Sequence, residues 1–118
     1  MGDPWREGKY VDLWSVVHAH AGFLLAWFLF ELGLPLAATV ALTLLALAAY
    51  EGGEQIAGVD EHATNRITDI VFGMVGLAIA HQIQAVPAGR SIMPVVGVTF
   101  VLLNLWGWLA WMRREGRL

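Results

Sequence analysis

Four runs of apolar side chains, at about 13–32, 36–57, 65–86 and 92–112, are each close to the length that crosses about 30 Å of hydrocarbon at about 1.5 Å of helix rise per residue. A chain built this way has few choices, because a backbone surrounded by lipid must satisfy its own polar groups, and a helix does so within one segment. Composition agrees: of 118 residues 58% are hydrophobic and only 14% charged, with a mean hydropathy of +0.61, too apolar for a water-soluble domain of this size. The expected fold is all-α: an integral membrane four-helix bundle in one domain, 1–118, made of two antiparallel transmembrane hairpins.

The breaks between runs set the connections. Gly33, Leu34 and Pro35 place a helix-ending glycine and a helix-starting proline three residues apart, and Pro87, Ala88 and Gly89 make a second short turn. The second run has only about fifteen apolar residues before Glu51, about 22 Å at about 1.5 Å per residue. Helix 2 is therefore expected to continue through Glu51 and Glu54 to about Ala57, drawing two carboxylates to the membrane edge; local thinning of the bilayer is the alternative. The polar loop 58–64 carries Asp60, Glu61 and His62, with Asp60 or Thr64 as expected caps of helix 3.

With four spans, the N-terminus, the loop between helices 2 and 3 and the C-terminus share one side. That side collects Arg6, Lys9, Arg66, Arg113, Arg114 and Arg117 against Arg90 alone on the other, which predicts cytoplasmic termini in a multi-pass protein of the cell membrane. A net charge of −3 without a basic patch argues against nucleic acid as a partner. The absence of cysteine excludes disulfides, thiolate metal sites and a cysteine nucleophile. The N-terminal segment mixes acidic and basic residues and shows no small-residue cleavage pattern, so no removable signal peptide is expected. Trp106, Trp108 and Trp111, followed by Arg113 and Arg114, read as an interfacial anchoring belt.

Function is expected where polar groups interrupt this apolar pattern. A carboxylate inside a bilayer costs on the order of 2.5–3.5 kcal/mol, so Asp69, with Asn65 one turn before it, should face a partner, a cavity or a pathway. Under the expected topology His18, Glu51, Glu54, Asn65 and Asp69 meet in the cytoplasmic third of the bundle. His18 and His20 point about 200° apart on a regular helix, and His18 is the one within reach of the end of helix 2. Glu51 and Glu54, three apart, share a face and repel unless a cation or a shared proton lies between them. Glu51, Glu54 and Asp69 are the expected metal ligands, with His18 as a nitrogen donor, and a divalent metal ion is the cofactor such donors would hold. Simple solvation of the glutamates at a helix end, and a packing role for His18, are the plainer readings. Gly73, Gly76 and Ala80 follow Asn65 and Asp69 on one face of helix 3, which lets a neighbouring backbone approach closely. Near the other end, Glu31, His81 and Gln82 are read as solvated or as a Glu–His contact.

The run 12–26 containing His18, then Tyr50-Glu51 through Glu54-Gln55, then Asn65-x-x-x-Asp69-x-x-x-Gly73-x-x-Gly76, resembles the VanZ-like superfamily of small polytopic membrane proteins over about two thirds of the chain. This chain places Asn65 before Asp69 where that pattern runs aspartate then asparagine, and only Arg66 could stand for the family's loop arginine. The resemblance implies a role in cell-envelope metabolism or glycopeptide resistance. The residues themselves imply a pocket for a cation or a polar lipid headgroup, with membrane lipid as partner. Other readings are a metal-dependent hydrolase or transferase acting on a lipid, a proton-coupled small-molecule transporter, and a structural subunit of a homo-oligomer or larger membrane complex packing through Gly73 and Gly76.

Overall fold

The computed structural model describes Trp5, residues 12–58 and residues 63–117. Asp60, Glu61, His62, Arg6 and Lys9 lie outside the described residues. Four long helices follow one another: α1 Leu13–Glu31, α2 Leu36–Ile56, α3 Ala63–Gln84 and, after a 3-10 turn at Gly89–Ile92, α4 Met93–Arg114. All four are long and apolar enough to cross a membrane, and the longest dimension, 45 Å, matches a bilayer with its headgroup regions.

Local chemistry explains the boundaries. Asp12 caps α1: its side chain accepts from the Ser15 amide at 3.2 Å while Ser15 Oγ accepts from the Asp12 amide at 3.3 Å, a reciprocal box that satisfies two otherwise orphaned donors. Gly33, at φ +87°, takes the left-handed turn between α1 and Pro35, and Gly58, at φ +85°, does the same beyond α2. α2 runs past Glu51 and Glu54 to Ile56. α3 starts at Ala63, so Thr64 stands inside its first turn rather than capping it, and it stops at Gln84 because Pro87 disfavours helical backbone at Val86.

α1 and α3 form the spine. They cross where neither has side chains to keep the backbones apart: a Cβ added at Gly22 would strike the carbonyl of Gly73, and one at Gly76 the carbonyl of Ala19. Above this crossing Phe23, Ala26, Trp27, Leu77 and Ala80 make the apolar core. α2 joins the spine along one seam, Thr39, Thr43, Leu47 and Glu51, spaced by four and buried, while its remaining surface is largely exposed. α4 packs on α1, and its one buried residue, Gly107, lies under the rings of Trp5 and Trp14. Trp5 is fully buried, edge-on to Trp14 at 4.7 Å and to Trp106 at 5.4 Å, and its carbonyl accepts from Trp14 Nε1 at 3.0 Å. Among the described residues, no Cα of α4 approaches α2 or α3 within 8 Å.

At the end away from Asp12, Glu31 pairs with Arg90 at 2.9 Å, and His81 lies against Phe30 with ring centroids 5.5 Å apart. Of the two readings of Glu31, solvated or in contact with His81, neither includes Arg90, which the 3-10 turn carries to Glu31 in a largely solvated ion pair. Arg90 is 78% exposed, and solvated pairs of this kind contribute about 0–1 kcal/mol. Glu31→Gln is accordingly expected to change the thermal midpoint of the detergent-solubilised protein little, as followed by helical circular dichroism.

Candidate functional site

At the Asp12 end the first turns of α1 and α3 are laced together. Ser15 Oγ donates to Asp69 Oδ1 at 2.9 Å, and Asn65 Nδ2 donates to Asp12 Oδ2 at 3.1 Å. Ser15, Asn65 and Asp69 are all buried, so the cap of α1 and the polar face of α3 satisfy each other inside the protein. Asn65, expected in the binding pocket, instead ties two helix starts.

One turn further along α1, the carbonyl of Trp14 lies 2.6 Å from His18 Nδ1. A carbonyl can only accept, so Nδ1 carries the proton and Nε2 is the nitrogen left to face outward from that bond. Nε2 lies 3.1 Å from Glu51 Oε1, with both side chains more than nine-tenths buried. The contact is an ion pair when the imidazole carries its second proton, and His18 Nε2, Glu51 Oε1 and Glu51 Oε2 have no hydrogen-bond partner. Glu54, one turn beyond Glu51 and half-buried, brings a third donor: one atom each from His18, Glu51 and Glu54 lies within 4.8 Å of the other two.

Asp69 stands apart from this trio. Its Oδ2 is 3.8 Å from His18 Nδ1, the opposite edge of the imidazole, and its Oδ1 is engaged by Ser15. The donors that converge are therefore His18, Glu51 and Glu54, with Asp69 behind the histidine, in place of the expected Glu51, Glu54 and Asp69. The Trp14 carbonyl, which accepts from Nδ1, orients the imidazole, and Asp69 adds a negative charge at the same edge. His20 turns away, its Nδ1 2.9 Å from the carbonyl of Val16.

His18 and Glu54 line a cleft of about 570 Å³, with Glu51 behind them. α1 and α3 supply its floor with Trp14, His18 and Asp69; α2 supplies Tyr50 and Glu54 on one wall; α4 supplies Phe100, Asn104, Trp108 and Trp111 on the other. The cleft exists because α2 and α4 flank the spine without closing on each other. Asn104 Nδ2 donates to the Phe100 carbonyl of its own helix at 2.8 Å. Trp108 and Trp111, read from sequence as belt residues, thus also wall a cavity, and the signal for this was their spacing with Asn104, which recurs by four and three along one face. Gly22 was legible too, since it follows His18 by four. Comparison with family models, with curated proteins and with solved structures finds no match to this chain.

Proposed function

We propose that this is a small integral membrane protein whose cytoplasmic-side pocket binds a divalent metal ion through His18, Glu51 and Glu54. In this reading the four helices form two antiparallel hairpins with both termini cytoplasmic, the orientation favoured by Arg66, Arg113, Arg114 and Arg117 lying toward one end and Arg90 toward the other. The observation that carries the proposal is the Glu51 carboxylate: buried, without a hydrogen bond on either oxygen, and pressed against an imidazole nitrogen that also lacks one. A buried carboxylate in apolar surroundings is costly unless paired or ligating. A cation among His18 Nε2, Glu51 and Glu54 answers all three orphaned atoms at once. One imidazole nitrogen with two carboxylates suits a borderline ion such as Zn²⁺ or Mn²⁺ better than Mg²⁺, which prefers oxygen and water. Three protein donors leave a position open toward the cleft.

The VanZ-like resemblance and its implied envelope role are compatible with this reading and do not carry it. The test is calorimetric titration of chelator-treated protein in nonionic detergent with Zn²⁺, Mn²⁺ and Mg²⁺. Binding of about one Zn²⁺ or Mn²⁺ per chain is expected, with a rise in thermal midpoint because the ion binds only the folded site. No saturable heat and no shift with any of the three ions overturns it.

A further inference from the structure

We infer that the cleft between α2 and α4 is a binding site for a hydrophobic organic cation drawn from the membrane. The site shares Glu54 with the proposed metal centre but rests on separate observations. The first is charge: two carboxyl groups, Glu54 and Asp69, reach the cleft, and no lysine or arginine is among its described lining residues. The second is the nature of the walls. Trp14, Tyr50, Trp108 and Trp111 line it, and aromatic rings attract cations through their quadrupole while shedding water, as Trp111 already does for the Arg117 guanidinium 5.1 Å from its centroid.

Size and access agree. A volume of about 570 Å³ lies within the range of pockets that enclose drug-sized ligands. α2 and α4 keep their backbones apart along the cleft, and apolar residues of both helices are exposed, Val101 and Leu105 in the cleft lining and Leu45 outside it. The cleft is therefore flanked by lipid-compatible surface. A lipid headgroup fits less well, because its phosphate would meet the carboxyl groups of Glu54 and Asp69, with His18 the one basic group among the described lining residues. An organic cation places its charge near Glu54 and its apolar body among the rings.

The probe is tetraphenylphosphonium, with tetraphenylborate as its charge-inverted counterpart of nearly the same shape, measured by equilibrium dialysis against chelator-treated full-length protein in nonionic detergent, with protein-free micelles subtracted. Saturable binding of about one tetraphenylphosphonium per chain is expected, with tetraphenylborate at least tenfold weaker. Glu54→Gln should weaken the cation at least tenfold and Trp111→Ala several-fold, each variant being checked for helical content and monodispersity. Glu31→Gln, which removes a carboxyl group at the opposite end of the bundle, should keep tetraphenylphosphonium affinity within threefold. Equal binding of both ions, or Glu54→Gln affinity within twofold of the parent, overturns the inference. So does loss of binding in phosphatidylcholine nanodiscs, which would show headgroups as the occupant. Cation binding by a protein that takes up no Zn²⁺ or Mn²⁺ sinks the metal reading alone.

Discussion

Glu51→Gln is expected to lower Zn²⁺ or Mn²⁺ affinity at least about 100-fold, about 2.7 kcal/mol at about 1.4 kcal/mol per tenfold, while leaving the metal-free protein no less stable than its parent. Both halves follow from the same geometry. The carboxylate is buried beside the His18 imidazole with neither oxygen hydrogen-bonded, a buried ion pair returns little against its desolvation, and Asp69 still faces the ring when Glu51 loses its charge. Glutamine keeps the volume and removes the charge, but it is a poor ligand for a borderline cation. Calorimetry reads the affinity, and thermal unfolding with and without metal reads the stability. In the parent, ion at about 100 times its dissociation constant should stabilise by about 2.7 kcal/mol; in the variant that increment should vanish. A Glu51→Gln protein that binds metal as its parent does removes Glu51 from the ligand set.

Gly22→Ala and Gly76→Ala should be the most damaging single-methyl additions in the chain. At each position the new Cβ meets backbone of the facing helix, the carbonyl of Gly73 for Gly22 and that of Ala19 for Gly76. Backbone cannot rotate aside as a side chain can, so the cost should reach or exceed the about 1–3 kcal/mol usual for overpacking. Gly73→Ala meets only the tip of the Leu47 side chain and should cost less, and Gly97→Ala, with nothing within 4 Å, should be neutral or gain up to about 1 kcal/mol from helix propensity. Thermal unfolding of the four variants tests this order. If Gly22→Ala melts with Gly97→Ala, the spine is not packed on its glycines.

The sequence makes the helical architecture legible because lipid admits so few alternatives: runs of about twenty apolar residues, punctuated by Gly33-Leu34-Pro35 and Pro87-Ala88-Gly89, specify four helices before any packing is known. Within the site, His18 was separable from His20 by helical angle, and Glu51 from exposed α2 residues by the short apolar run before it. What the pattern could not supply was pairing among residues far apart. Ser15 reads as an ordinary capping partner of Asp12, and only the crossing of α1 over α3 brings its hydroxyl to Asp69. Asn65 and Asp69, one turn apart on one face, part company for the same reason, one meeting Asp12 and the other Ser15. Trp108 and Trp111 share a face with Asn104 by spacing, but only the packing of α4 beside α1 turns that face onto a cleft. Glu31 finds Arg90 rather than His81 because the 3-10 turn after α3 folds back over the end of α1, a path that hydropathy does not describe.

The separation of α2 from α4 has a mechanical side. Each rests on the α1–α3 spine independently, α2 through a narrow seam and α4 around Gly107 beneath the Trp5 ring at one end and through Met93 and Val96 on the apolar core at the other. Tilting either flank outward therefore breaks no packing between the two, and its resistance is set only by that helix's own footing. A change in the width of the cleft can thus come from α4 alone, which leaves the glycine crossing and the pairing of His18 on α1 with Glu51 on α2 as they stand.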